Sequence, residues 1–172
     1  MAVAPDDLLA RLEALGIQAK THDHAPLFTV EESRALRGLI PGLHSKNLFV
    51  RDRKKHYFLV SVEEDAVVDL KILHHAIGAQ GKVSFGSAEA LFELWGVKPG
   101  SVSPFGAIND VSNQVTVVLE RQLTEAAEVN FHPLDNSRTT TISGTDLMRF
   151  LRACGHEPIL IDLPLTPTET EA

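Results

Sequence analysis

Three short segments hold the side chains best placed to do chemistry. GLIPGLHSKNLFV (38–50) delivers a single lysine, Lys46, onto the start of an apolar strand, with Asn47 beside it. PGSVSPFG (99–106) is a loop with a G-x-x-x-P pattern from Gly100 to Pro104, and Ser101 lies inside it. NFHPLDN (130–136) ends a strand in His132, just before a proline. Each pattern alone is common. The chemistry that is missing narrows the choice. No G-x-S-x-G elbow is present, which removes the usual α/β serine hydrolase. P-loop and G-x-G-x-x-G fingerprints are absent, as are H-E-x-x-H and C-x-x-C. Of the eight histidines, His22 and His24 would share one face of a strand, whereas His74 and His75, adjacent on a helix, should point apart. With no third ligand at motif spacing, neither a metal nor a cofactor is expected. Cys154, at the end of an amphipathic helix, reads as a buried small apolar residue.

The elements that must position these residues can be traced from periodicity. Leu8, Leu9, Leu12 and Leu15 recur at helical spacing, predicting a helix over 6–15 stopped by Gly16. A short strand is expected over 17–22. Thr29 is the expected N-cap of a helix reaching about Gly38, with Glu31 and Glu32 in its first turn. Residues 39–45, with Pro41 and Gly42, should be loop. The apolar runs 46–51 and 56–62 flank Asp52 to Lys55 as a hairpin. Helices follow over 70–77 and, capped by Ser87, up to Trp95, with a short strand over 82–85 between them. The stretch 96–110 is Gly- and Pro-rich, and a connection that long is often functional. The run 115–119, apolar on both faces, should be a central strand. Strands over 127–131 and 139–142 come next, then a helix over 146–153 capped by Thr145 and an edge strand over 158–163. The order has no strict βαβ rhythm, so the expected fold is one mixed α/β (α+β) domain with a largely antiparallel sheet. That domain should span 1–163, followed by a mobile acidic tail over 164–172.

Composition agrees with one globular unit. The chain has 172 residues, 44% of them hydrophobic and 23% charged, close to the globular average. One cysteine excludes an intrachain disulfide and suits a reducing, cytoplasmic home. The first fifteen residues are too charged for a signal peptide, and no apolar run is long enough to span a membrane. The net charge is −7, yet the 22 residues from Arg34 to Lys55 carry seven cations against one anion. An acidic body with one basic segment suits a local anionic partner and argues against wholesale wrapping of DNA. The same segment would also serve as a solvated hairpin whose lysines keep an edge strand from pairing.

Taken together and in this order, the three segments, with the helix motif GTDLMRFL (144–151), resemble the YbaK/ProX family of aminoacyl-tRNA deacylases. That family includes the editing domain inserted in bacterial prolyl-tRNA synthetases and its free-standing relatives. The resemblance runs from about Asp6 to Leu163 and is closest to the free-standing Ala-tRNA(Pro) deacylase branch. It implies hydrolysis, in trans, of alanine wrongly esterified to tRNA(Pro), with aminoacyl-tRNA as partner and transient contact with prolyl-tRNA synthetase. A deacylase of the same family clearing serine, threonine or cysteine, or a non-catalytic tRNA-binding module, are the alternatives.

The resemblance makes Lys46, Gly100 and His132 the catalytic set. An aminoacyl ester is already activated, so water can attack it without a covalent intermediate, and the site must supply positioning and oxyanion stabilisation. Lys46 would hold the terminal adenosine phosphate or polarise the ester. Gly100, lacking a Cβ, would let main-chain N–H groups of its loop approach the substrate. Pro104 would stiffen that loop. His132 would orient the aminoacyl group or shape the pocket. Asn47, Ser101, Thr29, Phe28, Ile40 and Phe49, together with Leu27 and Leu43, are candidate substrate contacts or walls of a pocket that admits alanine and rejects proline, because binding alone separates such close side chains by only about 1–3 kcal/mol. Arg51, Arg53, Lys54 and Lys55 are candidates for acceptor-stem phosphates around Lys46.

Overall fold

The computed structural model describes residues 2–26 and 30–166. Eight strands form one mixed sheet in the order β1–β7–β6–β2–β3–β5–β8, with β4 on β2. The strands are β1 (Lys20–Asp23), β2 (Leu43–Arg51), β3 (Tyr57–Glu63), β4 (Ser84–Phe85), β5 (Val115–Glu120), β6 (Val129–Phe131), β7 (Arg138–Ile142) and β8 (Ile159–Ile161). The β1–β7, β7–β6, β2–β3 and β2–β4 pairings are antiparallel. The β2–β6, β3–β5 and β5–β8 pairings are parallel. This is the expected mixed, largely antiparallel sheet. The run expected to be central is β5, flanked on both sides and almost wholly buried.

Helices α1 (Pro5–Ala14), α4 (Ala88–Trp95), α5 (Arg121–Glu125) and α6 (Gly144–Ala153) cover one face. Their Leu8, Leu12, Trp95, Leu123, Leu147 and Phe150 pack on Phe49, Leu59, Val117 and Phe131 of the sheet. Phe105 sits edge-on to both Phe131 and Phe150, an arrangement whose loss on truncation costs about 3–5 kcal/mol. The short α3 (Leu73–Ile77) closes a second core on the opposite face with Val50, Phe58, Val60, Val62 and Val118. Helix α2 (Val30–Arg37) lies between β1 and β2 in sequence. No helix among the described residues is long and apolar enough to cross a membrane.

Several local expectations change. Strand β2 starts at Leu43 and not at Lys46, because the Leu43 N–H finds the Glu128 carbonyl at 3.0 Å. Helix α5 was not expected at all. Ser143, not Thr145, caps α6, its hydroxyl accepting from the Asp146 N–H. Gly144 fits there because a Cβ would collide with the main chain of Leu123 and Thr124. The loop over 96–110 contains a buried 3-10 helix, Pro104–Asn109. His74 and His75 do not diverge: their ring centroids are 4.0 Å apart. Cys154 is half-buried, and burial raises its thiol pKa. Thr29, the expected cap of α2, lies outside the described residues, as does the tail beyond residue 166.

Candidate active site

A site opens where β2 and β6 part. The two strands run parallel and pair only at Leu43↔Val129 and His44↔Asn130. Beyond that point β2 turns to β3 and β6 ends at the His132 turn. Asn130 clasps the closed end of the wedge. Its amide N–H groups donate to the Pro41 and Leu43 carbonyls at 3.0 and 3.1 Å, its side-chain oxygen accepts from the Thr141 hydroxyl, and its main-chain carbonyl accepts from the Ser45 hydroxyl. A buried amide with every group partnered is a rigid fixture. The wedge encloses a cavity of about 70 Å3 lined by Leu36, Ser45, Asn47, Asn130, His132 and Thr139, with His44, Glu64 and Phe131 completing the wall.

Two polar groups in that cavity have fixed orientation. The Asn47 side-chain oxygen accepts from the buried Ser61 hydroxyl at 2.5 Å. Its NH2 group therefore faces the cavity, with only a long 3.5 Å contact to Ser45 Oγ. His132 Nδ1 lies 2.8 Å from the Arg138 carbonyl. A carbonyl only accepts, so Nδ1 carries the hydrogen and Nε2 of the neutral ring is an acceptor. Burial pushes the His132 pKa down, the nearby His24 adds to that, and the Arg138 carbonyl and Asp135 oppose it without reversing it. The His24 ring is 6.2 Å away and is held by the Ala25 carbonyl and the Thr139 hydroxyl at 2.8 Å each. The cavity thus offers an aimed donor and an aimed acceptor.

The G-x-x-x-P loop is attached to the same wall. Ser103 Oγ donates to the His132 carbonyl at 2.7 Å, and the Trp95 indole N–H donates to the Ser103 carbonyl at 2.7 Å. Gly100 takes φ +93°, and a Cβ there would stand 3.6 Å from the Asn136 amide. Ser101 is half-buried beside it, and Pro104 is buried at the start of the 3-10 helix.

The structure therefore brings together Asn47, His132 and the Gly100 loop. It separates others. Lys46 pairs with Val62 and Asn47 with Ser61, so the lysine is on the opposite face of β2 from the amide. Phe49 is buried and stacked on Tyr57 at 5.1 Å. Ile40 is buried too, its carbonyl accepting from His44 Nε2. Leu43 packs partly against the main core. Leu27, Phe28 and Thr29 lie outside the described residues. Arg53, Lys54 and Lys55 are exposed at the hairpin tip and Arg51 is half-buried below them. The tip does not surround Lys46: it begins five residues along β2, about 17 Å at strand rise. Buried Asp52 organises it, accepting from the Lys54, His56 and Gln80 N–H groups at 2.9 Å each. Burial alone would raise the Asp52 pKa, but these donors hold it below the ordinary value. Sequence reasoning passed over Ser45, Ser61, Asn130 and Thr139, and weighed His24 only as a metal ligand. The only signal at Ser45, Ser61 and Asn130 was polarity inside apolar strand patterns.

A larger open hollow of about 680 Å3 lies between α1, β1, β7 and the start of α6. Its walls include Leu9, Gln18, Lys20, Thr141 and Asp146, and it holds neither an imidazole nor any of the site residues expected from the sequence. The smaller cavity is the better candidate because its polar groups are aimed.

Residues 24–150 match the family model described as the aminoacyl-tRNA editing domain. The prolyl-tRNA editing protein ProX of Acetoanaerobium sticklandii is 35% identical over 161 residues, 93% of this chain and 98% of that protein. The prolyl-tRNA synthetase associated domain-containing protein 1 of Danio rerio is 36% identical over 166 residues, 93% and 90% of the two chains. Among solved structures, a candidate trans-editing enzyme for prolyl tRNA synthetase superposes with a TM-score of 0.70 at 20% identity, covering 96% of this chain and all of that one. The hypothetical protein APE2540 gives a TM-score of 0.71 at 20% identity over 90% and 97%. The structural likenesses carry the fold and the sequence matches carry the descent: the chain belongs to the aminoacyl-tRNA editing domain family.

Proposed function

We propose that this protein is a trans-acting aminoacyl-tRNA deacylase whose preferred substrate is Ala-tRNA(Pro). The observation that carries the reading is the Asn47–His132 cavity, an aimed donor and an aimed acceptor in a space of about 70 Å3. That is little more than two water volumes of roughly 30 Å3 each, which suits a methyl side chain better than a pyrrolidine ring.

In this mechanism the ester carbonyl oxygen receives the Asn47 amide N–H. Water attacks the carbonyl carbon while His132 Nε2 accepts a hydrogen bond from it. The tetrahedral oxyanion is stabilised by Asn47 and by main-chain N–H groups of the Gly100 loop. Collapse breaks the ester bond, and the proton released by the attacking water ends on the departing ribose oxygen, leaving free amino acid and intact tRNA. Lys46, on the other face of β2, is better placed for a phosphate of the terminal nucleotide than for the ester. Arg51, Arg53, Lys54 and Lys55 meet phosphates further along the acceptor. These steps call on no metal or cofactor.

The hydroxyls of Ser45 and Thr139 in the cavity wall favour a second reading, a deacylase for a seryl ester. One experiment separates the two. Wild type, Asn47→Ala and Lys46→Ala are mixed with Ala-tRNA(Pro), Pro-tRNA(Pro) and Ser-tRNA, and ester loss is followed in time. Loss of alanine alone, abolished by Asn47→Ala and weakened by Lys46→Ala, is expected. Loss of serine moves the substrate, and loss of no ester removes the catalytic reading.

A further inference from the structure

The two hydroxyls in the cavity wall have already committed their hydrogens, and that decides what the wall offers. Ser45 Oγ donates to the Asn130 carbonyl at 2.8 Å. On β7, Thr139 is buried with its Oγ1 2.8 Å from His24 Nε2, while His24 Nδ1 lies 2.8 Å from the Ala25 carbonyl. A carbonyl only accepts, so Nδ1 carries the hydrogen, and Nε2 of the neutral ring accepts from the Thr139 hydroxyl. Both hydroxyl hydrogens therefore point into the protein. What Ser45 and Thr139 have left for the cavity is lone pairs. The long 3.5 Å contact from the Asn47 amide leaves Ser45 Oγ able to take a better donor.

The cavity is thus short of donors. Asn47 contributes an NH2 group, against acceptors on Ser45, Thr139 and His132 Nε2. Among the described residues of the lining there is no lysine or arginine, and the one acid is Glu64. The Glu64 main-chain N–H donates to the His44 carbonyl at 2.9 Å, which seats it beside the start of β2. A small space with surplus acceptors and a carboxylate in its wall suits a cation that brings its own hydrogens. In the mechanism above, Asn47 serves the ester carbonyl and His132 the attacking water. The two hydroxyl oxygens and Glu64 remain unused. An aminoacyl ester carries a group that matches them on the carbon next to the reacting carbonyl: the α-ammonium, with three N–H donors.

We propose that Ser45, Thr139 and Glu64 form the subsite for the substrate's α-ammonium group, Ser45 Oγ and Thr139 Oγ1 each accepting one N–H and Glu64 supplying the opposing charge. The protein is then selective for esters whose amine is free. An N-blocked ester, peptidyl-tRNA included, brings neither the charge nor the donors and leaves the acceptors unpaired. The inference rests on the deacylase reading and gives that site a chemical filter besides its size.

The test uses acceptor-stem minihelices esterified with alanine, with N-acetylalanine, or with lactate, which has a hydroxyl where alanine has its ammonium. Each kcat/KM is divided by the spontaneous hydrolysis rate of the same ester, which removes differences in intrinsic reactivity. The wild type should favour the alanyl ester over the other two by about 100-fold or more. Lactate separates loss of charge from added bulk. Ser45→Ala, Thr139→Val and Glu64→Gln should each lower the alanyl-to-lactyl ratio about tenfold, and Thr139→Ser should restore it. A variant that only disturbs the fold slows both esters together and leaves the ratio alone. Equal acceleration of alanyl and lactyl esters by the wild type would overturn this inference and leave the deacylase standing, as would a ratio unchanged in all three variants. Acceleration of no ester would remove the deacylase reading itself, and the ammonium subsite with it.

Discussion

The Ser103 hydroxyl donates to the main-chain carbonyl of His132 at 2.7 Å, joining positions 29 apart in sequence. The G-x-x-x-P loop and the cavity histidine are thus one mechanical unit. Ser103 is fully buried and also accepts from the Phe105 N–H. Ser103→Ala leaves the His132 carbonyl and the Phe105 N–H without that partner, at a cost of about 1–3 kcal/mol. Urea denaturation should show that loss, and hydrolysis should slow in parallel because His132 is no longer held. A destabilised variant with undiminished kcat/KM would show that the loop serves the core alone.

Asn47 is aimed by Ser61. If the Asn47 amide is the oxyanion donor, Asn47→Ala should lower kcat by about 100- to 1000-fold and change KM little. Asn47→Asp keeps the shape but replaces the donor with an acceptor, so it should be as inactive as the alanine variant. Ser61→Ala leaves the amide in place but free to rotate, and should fall between wild type and Asn47→Ala. Steady-state kinetics of the three variants check the series. An active Asn47→Asp would exclude a donor role.

The sequence contained much of this site but not its assembly. Strand alternation already said that Lys46 and Asn47 face opposite ways. Which face holds the cavity depends on β6 lying parallel to β2, a pairing reported by the Ser45–Asn130 hydrogen bond across 85 positions. No local pattern encodes that pairing. Ser61 and Asn130 were silent for the same reason, since their value lies in partners brought together only by the sheet. Ser87 and the β2–β3 hairpin were legible because their signals are local. Helix α5 has only five residues, too few for a periodic signal.

His132 should give the reaction an acid limb. Its pKa is depressed, chiefly by burial, with His24 contributing. Neutral His132 is the acceptor, so the rate should hold through pH 7 and fall at a pH below the ordinary histidine value of about 6.5. His24→Asn removes the neighbouring charge, so the midpoint should move upward. Stability follows the same sign. The unfolded chain binds a proton at about 6.5 and the folded one only at lower pH, so the contribution present above about 6.5 is lost as the pH falls from there through the depressed folded value. A pH–rate profile and denaturation at several pH values check both. An acid limb unchanged in His132→Gln would assign it to another group.

A second imidazole holds the C-terminal part of the fold. His156 Nε2 meets Asp110 Oδ2 at 2.9 Å, with both side chains 1% exposed. The same carboxylate accepts from the Gln114 and Val115 N–H groups at 2.9 and 2.8 Å, and the His156 ring packs edge-on against Trp95. This cluster ties the entrance of β5 to the chain leading into β8. Removing one member strands the others in the interior, so Asp110→Ala should cost about 3–5 kcal/mol. Its Tm should drop by about 6–20 °C for a chain of this size. Because the two groups share one interaction, the double variant with His156→Ala should cost clearly less than the two single losses combined. Hydrolysis at a temperature where all variants remain folded should be nearly unchanged, since neither residue reaches the cavity between β2 and β6. Additive losses in the double-mutant cycle would mean that the two side chains stabilise the protein independently, despite their contact.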